Sequence, residues 1–500
     1  MQNNRRWIIY AFLLLVALTF RLFVAIHLAN DEPDDGRVYS QIARNVLEQH
    51  VYSHDAQPPY TPSLIRLPGY PFFLIGIYSI FGHGNNTAVR VVQAVLDTIT
   101  CALIAWVVFE WTRKQRATMI ALALAAVCPF TAIYVATILT EVPTNCLAVA
   151  MVLTTTFAFK ATLRKRAITW WILTGLIAGI AVLFRPDSGL FAAAIGGTLM
   201  LSSWRRFREA TLYAAIFSIA FCLVLVPWTI RNRRVFHVFQ PLAPAHAEMP
   251  GEFVPRGYLL WVRTWLDDER YVAPALWAMD MRQIHVEDFP ARAFDSKEER
   301  DRVAALFEKY NHPDGDEDEQ AESSSDDEED EPEEEPEPDE HPQPEDENVE
   351  MTPEIDAGFA QIGHERVAHS RLRYYVVLPA KRAMTLWFDT HSQYYPFNGE
   401  LLPLADLDHE IHQQYWLPLF AGLTWVYTLL GVIGAWLLWR SRERRWLLMV
   451  VLLIFLRLGF FATLENPEPR YTVEIFPFLI LVGAAGLATV FRQDLQDYSG

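Results

Sequence analysis

"NNRRWIIYAFLLLVALTFRLFVAI", residues 3–26, begins with two asparagines and two arginines and continues as an almost unbroken apolar run. A helix of about 20 apolar residues is long enough to cross the hydrocarbon core of a bilayer. The run is too long for the apolar part of a signal peptide, and no small-residue cleavage site follows it. We therefore interpret it as a retained first membrane span.

Apolar blocks of similar length recur along the chain, which predicts an all-α polytopic membrane protein with about ten transmembrane helices. Short helices are expected at the outer membrane surface, together with a mixed extracytoplasmic region. The four cysteines show neither metal-ligand spacing nor a disulfide framework. The predicted spans are 7–27, 88–110, 117–136, 142–160, 168–184, 187–203, 210–228, 416–439, 446–463 and 472–491.

Basic residues follow every second predicted span, which fixes the expected topology. Short loops rich in lysine and arginine stay on the cytoplasmic side of a membrane. Both termini are therefore expected in the cytoplasm of a multi-pass plasma (inner) membrane protein, and loop 28–87 and stretch 229–415 are expected outside. The basic sets are Arg5 and Arg6; Arg113, Lys114 and Arg116; Lys160, Arg164, Lys165 and Arg166; Arg205, Arg206 and Arg208; and Arg440, Arg442, Arg444 and Arg445.

Three regions are expected: an N-terminal transmembrane catalytic module over 1–230, an extracytoplasmic region over 231–415, and C-terminal helices over 416–500. Residues 314–350 carry 22 acidic side chains and no lysine or arginine, so the interval 313–350 is predicted to be a disordered acidic insert. Removing these 22 charges from the net charge of −18 leaves +4. A nearly balanced remainder gives no reason to expect nucleic-acid binding.

A cluster of acids, Asp31, Glu32, Asp34 and Asp35, follows the first span at the outer face. A carboxylate at that place can act as a general base toward a hydroxyl group or bind a cation. The alternative is that it is only the hydrated start of a loop.

Arginines and one glutamate at the outer face are further candidates. Arg66 precedes the turn and apolar helix of "RLPGYPFFLIGIYSIFG", 66–82, where it can meet a phosphate at headgroup level. An interfacial anchor is the alternative for this segment. Arg185, Arg231 and Arg470 lie at outer ends of spans, where they either bind a phosphate or pair with Glu141, Asp187 or Glu468. Glu141 itself can be a helix N-terminal acid stabilised by the helix dipole.

Two charged residues inside spans, Arg21 and Asp97, are costly in a bilayer unless they are paired. They are expected to pair with each other in a structural role, and Arg457 is interpreted in the same way.

The ordered set "DGRVYSQIARNVLEQHVYS", "RLPGYPFFLIGIYSIFG", "AVRVVQAVLDTITCALIAW", "LTEVPTN", "LFRPDSGLF", "VPWTIRNRRVF" and "EPRYTVEIFPFLIL" resembles polyprenyl-phosphate-sugar-dependent glycosyltransferases of the GT-C fold. Protein O-mannosyltransferases and aminoarabinose transferases belong to that class. The resemblance does not extend over 240–365. It implies a GT-C-type bundle that transfers a sugar from a polyprenyl-phosphate donor to an acceptor hydroxyl on the extracytoplasmic face, with inversion.

The resemblance also implies roles for individual residues. The catalytic base is expected at Asp35, then Asp34, with Asp31 still open, and Glu141 would orient the acceptor or help to hold a cation. No metal ligands are assigned, although a divalent cation remains an alternative. The acceptor can be a lipid, a glycan or a protein. The expected substrate-binding residues are Arg66, Tyr39, Tyr70, Arg185, Arg231, Arg470 and Tyr471.

Two other functions stay open at this point. A secondary transporter would place ionisable residues around a mid-membrane cavity, whereas the notable charges here lie at the outer face. A non-catalytic envelope-assembly protein would not need the Asp35 carboxylate.

Overall fold

The computed structural model describes residues 2–29, 34–313, 349–389, 411–441 and 444–490. These residues form helices joined by turns and loops, with no β-strand among them. The acids Asp31 and Glu32 and residues 314–348 of the predicted acidic insert lie outside the described residues, and so does the side chain of Asp34.

Within these residues, eight helices are long and apolar enough to cross a membrane, which confirms the predicted all-α polytopic class. A ninth span is formed if the bent pair Gln115–Ala126 and Pro129–Ala136 is counted as one. The expected span at 187–203 is a helix of 14 residues, Gly189–Ser202, which is shorter than the spanning length. The eight helices are α1 (Gln2–His27), α4 (Asn86–Thr112), α7 (Glu141–Lys160), α8 (Arg164–Phe184), α10 (Phe207–Phe236), α15 (Ile411–Arg440), α16 (Arg444–Ala462) and α17 (Phe476–Leu487), the last preceded by the 3₁₀ segment Pro469–Ile475.

The remaining helices are shorter. They are α2 (Asp34–Gln49), α3 (Gly69–Phe81), α5 (Gln115–Ala126), α6 (Pro129–Ala132), α9 (Gly189–Ser202), α11 (Arg256–Arg263), α12 (Lys297–Asn311), α13 (Pro353–His369) and α14 (Leu378–Phe388).

The chain forms two compact units. The first comprises Met1–Glu252, Leu386–Phe460 and Pro469–Gly500, and the second comprises Phe253–Thr385 and Phe461–Glu468. The first unit therefore contains the membrane helices and the described part of the first outer loop. The division at 230 and 415 inferred from the sequence stays a prediction.

The second unit has a core of its own, built on packed aromatic rings from α11, α12 and α13. The Trp261 ring lies 5.3 Å from the Phe359 ring and 6.0 Å from the Phe307 ring, measured between centroids. These rings are almost fully buried. Such rings bury a large apolar area, which explains how a short helical unit holds together.

Small residues let the membrane helices of the first unit approach closely. A Cβ atom on Gly179 of α8 would lie 2.7 Å from the Phe221 carbonyl oxygen of α10, and Gly175 one turn earlier faces the same helix. Small residues four apart are a common way for helices to pack in lipid, where van der Waals contact replaces the hydrophobic effect.

The predicted pair of Arg21 and Asp97 is confirmed. Arg21 Nε donates to Asp97 Oδ2 at 2.6 Å, and both side chains are buried. The same guanidinium donates to the carbonyl oxygens of Ala125 and Ala126 at 3.0 and 2.9 Å. Because α5 ends there, before a bend of 48°, Arg21 satisfies carbonyl groups that the broken helix leaves without intrahelical donors.

The described part of the first outer loop is built on α2 and α3. Gly69 begins α3 close to the end of α8, since a Cβ atom on Gly69 would lie 2.6 Å from the Leu183 carbonyl group. Tyr70 and Leu74 of α3 pack in a small core with Ala43 of α2. This contact fixes the positions of Asp35 at the start of α2 and Arg66 before α3.

Candidate functional site

Asp35 lies between two arginines that are far from it in the sequence. Arg66 Nη2 donates to Asp35 Oδ1 at 2.8 Å, and Arg470 Nη1 donates to Asp35 Oδ2 at 3.2 Å. The side chains of Asp35, Arg66 and Arg470 are 27%, 25% and 12% exposed. We call these three residues the Asp35 cluster. It carries one negative and two positive charges and is accessible at its surface.

The two arginines keep the Asp35 carboxylate ionised. Burial alone would raise the pKa of Asp35, but the charges of Arg470 and Arg66 and their hydrogen bonds outweigh it and hold the pKa below its usual value. Asp35 also lies in the first turn of α2, where the helix dipole favours a negative charge. At neutral pH the group is therefore an anion that is shared by two cations.

Tyr39 follows Asp35 by one helical turn, so both side chains lie on the same side of α2. Burial, reinforced by the Asp35 charge, raises the pKa of Tyr39 to about 12, so the phenol stays protonated. Its ring meets the Tyr70 ring edge to face at 5.1 Å. Tyr70 is fully buried, and its hydroxyl donates to Gln93 Oε1 at 2.9 Å, so the Tyr39 ring packs against a fixed side chain.

A second set of charges lies in the interior of the first unit. Glu141, at the start of α7, accepts from Arg185 Nη1 at 2.6 Å, and Arg185 also contacts Asp187 at 3.2 Å and Glu474 at 3.5 Å. Arg457 of α16 donates to Glu474 at 2.8 Å and to Asp187. We call these five residues the buried network. The pairing of Arg185 with Glu141 and Asp187, left open by the sequence, is thus observed.

Tyr471 connects the Asp35 cluster with the buried network. The Arg470 guanidinium carbon lies 5.3 Å from the centroid of the Tyr471 ring, and that of Arg185 lies 5.6 Å from it. A cation near an aromatic face is stabilised by the negative potential of the ring. Asp35, Arg66, Arg185, Arg470 and Tyr471 therefore form one contiguous charged region.

The contacts described for Arg231 are with residues outside the Asp35 cluster and the buried network. Its Nη1 donates to the carbonyl oxygen of Ser63 at 2.7 Å, and its guanidinium carbon lies 5.3 Å and 4.9 Å from the ring centroids of Tyr52 and Trp228. These contacts tie the first outer loop to the end of α10. A substrate-binding role for Arg231 stays a prediction.

Sequence reasoning missed the role of Glu474. It named Asp187 only as a possible partner of an outer arginine, and it gave Arg457 only a general structural role. The signal was present, because charged residues in apolar surroundings are expensive unless they are paired. The partners could not be found, since Arg457 and Asp187 are separated by 270 positions.

No group of three or more His, Cys, Asp or Glu residues that could hold a metal ion is found within the described ranges. The carboxylates described above are instead bound by guanidinium groups. Each oxygen of Asp35 accepts from an arginine.

Comparison with known families bears on residues 61–230, which run from the first outer loop through most of α10. These residues match the family model described as dolichyl-phosphate-mannose-protein mannosyltransferase. The match confirms the family resemblance. Arg66, Tyr70, Glu141 and Arg185 lie inside the matched segment, whereas Asp35 and Arg470 lie outside it. No match was found among curated proteins.

Several solved structures are similar to the chain. The oligosaccharyltransferase AglB from Archaeoglobus fulgidus, in complex with an inhibitory peptide and a dolichol-phosphate, is 13% identical with a TM-score of 0.48, and the alignment covers 98% of this chain and 51% of that one. The same enzyme with Zn and sulfate is 12% identical, with a TM-score of 0.46 and coverage of 96% and 49%. ArnT from Cupriavidus metallidurans, bound to undecaprenyl phosphate, is 14% identical, with a TM-score of 0.39 and coverage of 97% and 77%. The chain thus spans about half the length of the oligosaccharyltransferase.

Proposed function

We propose that this chain is an integral membrane glycosyltransferase that moves a sugar from a polyprenyl-phosphate-linked donor to an acceptor hydroxyl group, with inversion at the anomeric carbon. The observation that carries the proposal is the position of Asp35 between Arg66 and Arg470. A carboxylate beside two accessible guanidinium groups combines a base for a hydroxyl with a site for a phosphate. The family-model match over 61–230 supports the same reaction class.

In the proposed reaction, Asp35 accepts the proton of the acceptor hydroxyl while the hydroxyl oxygen attacks the anomeric carbon. The bond between that carbon and the phosphate oxygen breaks, and its electron pair stays on the phosphate. A single displacement of this kind inverts the anomeric centre. Arg66 and Arg470 stabilise the charge that develops on the leaving phosphate, where fixed positive groups act most strongly.

Glu141 and Arg185 are assigned positioning roles. Glu141 is almost fully buried, and one of its oxygens is bound by Arg185 at 2.6 Å. Because it is buried whereas Asp35 is partly exposed, Glu141 is better suited to fixing a guanidinium than to meeting an acceptor hydroxyl. Through Tyr471, Arg185 then supports Arg470 beside Asp35.

We assign Tyr39 and Tyr70 to the wall of the same site. The Tyr39 phenol stays protonated and can donate a hydrogen bond to a sugar or phosphate oxygen. Tyr70, whose hydroxyl is bound to Gln93, holds the Tyr39 ring in place.

The orientation of the chain follows from its charge pattern. The basic loops favour cytoplasmic termini and an Asp35 cluster on the extracytoplasmic side of the plasma (inner) membrane, as expected for the ten spans inferred from the sequence. Asp55→Cys and Lys114→Cys, each labelled with a membrane-impermeant reagent in intact cells, test this orientation. Position 55 should be labelled and position 114 should be protected.

A divalent cation is not given a step in the proposed reaction, because both Asp35 oxygens are bound by arginine. The Zn reported with the archaeal oligosaccharyltransferase makes metal dependence worth measuring. The acceptor stays open among lipid, glycan and protein hydroxyl groups.

Sugar transfer by the purified chain tests the proposal. The protein in lipid nanodiscs is mixed with a radiolabelled polyprenyl-phosphate sugar and an envelope extract that supplies acceptors. Transfer by the wild type that is lost in Asp35→Asn and retained in Glu48→Gln supports the enzyme. Proton-coupled uptake into vesicles without transfer would instead support a transporter, and unchanged envelope glycans in an Asp35→Asn strain would support an assembly role.

A further inference from the structure

Each oxygen of the Asp35 carboxylate is bound by a different arginine. Arg66 reaches Oδ1 at 2.8 Å, and Arg470 reaches Oδ2 at 3.2 Å. A carboxylate bound in this way is a poor proton acceptor, because the oxygens that would take the proton are stabilised as anions. The arrangement that keeps Asp35 ionised therefore also weakens it as a base.

The same two guanidinium groups are the accessible cations of the site. Arg66 and Arg470 are partly exposed, and each contacts the Asp35 carboxylate. By contrast, Arg185 and Arg457 lie in the buried network, where each contacts at least two carboxylates. A phosphate that arrives at the surface therefore meets the arginines that Asp35 already holds.

We propose that Arg66 and Arg470 are shared in turn by the base and the leaving group, so that Asp35 and the phosphate compete for the same two guanidinium groups. This inference rests on the proposed function, and it adds that proton acceptance by Asp35 and phosphate binding by the arginines are coupled. Binding of the phosphate draws the arginines away from Asp35 and frees carboxylate oxygens for the acceptor hydroxyl.

The charges balance during the reaction. The acceptor proton goes to Asp35, which loses one negative charge, and the electron pair of the broken carbon–oxygen bond gives the phosphate one more. One negative charge thus moves from the carboxylate to the phosphate, while the two arginines stay between them. Their attraction strengthens at the phosphate as it weakens at Asp35, which favours the transition state over the bound substrate.

The competition has a consequence that a simple base would not have. If phosphate binding weakens the hold of the arginines on Asp35, then the Asp35 charge must weaken phosphate binding by the same factor, because coupling free energies are reciprocal. Removing the charge of the base should therefore tighten the binding of the phosphate product. Repulsion between the carboxylate and the phosphate would add to this gain even without shared cations, so a double-mutant cycle with Arg66 is needed to separate the two effects.

Binding of a polyprenyl phosphate to the purified chain in nanodiscs tests this inference. We expect Asp35→Asn to lower the dissociation constant by about tenfold, within the range of coupled sites. Arg66→Gln and Arg470→Gln should raise it. Glu48→Gln is the matched control, since it removes the same charge from an exposed position on α2 that pairs with His83, and it should leave binding unchanged. Inorganic phosphate, tested in parallel, separates recognition of the headgroup from that of the lipid tail.

A double-mutant cycle makes the test specific. In Arg66→Gln, the gain from Asp35→Asn should shrink because one shared cation is missing, and Asp35→Ala repeats the measurement if the Asn variant folds poorly. A wild-type chain that does not bind polyprenyl phosphate would overturn the proposed function. A wild type that binds while both Asp35 variants bind equally or more weakly would overturn only the sharing of the arginines.

Discussion

Arg457 on α16 donates from Nε to the carbonyl oxygen of Tyr471 at 2.8 Å, so a buried guanidinium fixes the backbone next to Arg470. Its side chain is 0% exposed, and its other nitrogens reach Asp187 and Glu474. One side chain thus ties α16 to the turn before α9 and to the segment before α17. We expect the position of Arg470 beside Asp35 to depend on this backbone contact.

Replacement of Arg457 should therefore destabilise the first unit. Arg457→Gln leaves the Asp187 and Glu474 carboxylates without one of their cations, and breaking a buried ion pair costs about 3–5 kcal/mol. Arg457→Lys keeps the charge but loses the planar fork of donors, so it should rescue only in part. Thermal unfolding in detergent measures both variants. Arg113→Gln, which breaks the more exposed pair with Glu110, is the control and should change stability by less than about 1 kcal/mol.

The buried pair of Arg21 and Asp97 gives a second stability prediction. Asp97→Asn or Arg21→Gln should each destabilise the bundle by about 3 kcal/mol or more, because each leaves one charge unpaired in apolar surroundings. The double variant Arg21→Gln with Asp97→Asn should lose less than the sum of the two single losses, since it removes both charges together. Unfolding midpoints of the four proteins give the coupling, and strictly additive losses would contradict a direct pair.

The activity of the chain should depend on pH in a way that reflects the Asp35 cluster. The arginines lower the pKa of Asp35 in the substrate-free enzyme. As the pH is lowered, kcat/KM should therefore stay constant through the usual carboxyl range and decrease only below that range. The contribution of these ion pairs to folding stability changes with pH in the same direction. It is fully present above the pKa of Asp35 in the unfolded chain, and it is lost as pH falls through the lower pKa of Asp35 in the folded chain.

If the phosphate draws the arginines away from Asp35, the acid limb of kcat should lie at higher pH than that of kcat/KM, since kcat reports the substrate complex. Arg470→Gln should raise the acid limb of kcat/KM because it removes one of the two cations. Identical limbs for both parameters in the wild type would argue against the sharing of arginines.

Tyr471 should act through its ring. Tyr471→Phe keeps an aromatic face against Arg185 and Arg470, so it should bind polyprenyl phosphate within about threefold of the wild type. Tyr471→Leu loses the cation–π contacts, each worth about 0.5–2 kcal/mol, and should bind about tenfold more weakly. Equal losses in both variants would assign the effect to the hydroxyl group instead.

Much of the architecture could be predicted from the sequence because it depends on local patterns. The length of an apolar run determines whether a helix can cross the bilayer, so nearly all of the spans were predicted, although α10 ends eight residues beyond the predicted 228. The break before Pro129 was also predictable, since proline cannot continue a helix hydrogen-bond ladder. The segment Gly189–Ser202 was the exception, because apolar composition alone does not set the end of a helix.

The partners of the charged residues were decided by the tertiary structure. The sequence offered four acids in 31–35 and several outer arginines, but not which of them meet. Asp35 and Arg470 are separated by 435 positions, and their contact requires α2 and the segment before α17 to meet in space. A charge is matched by whichever opposite charge lies within a few ångströms of it, and that distance is set by helix packing, which no local pattern of residues contains.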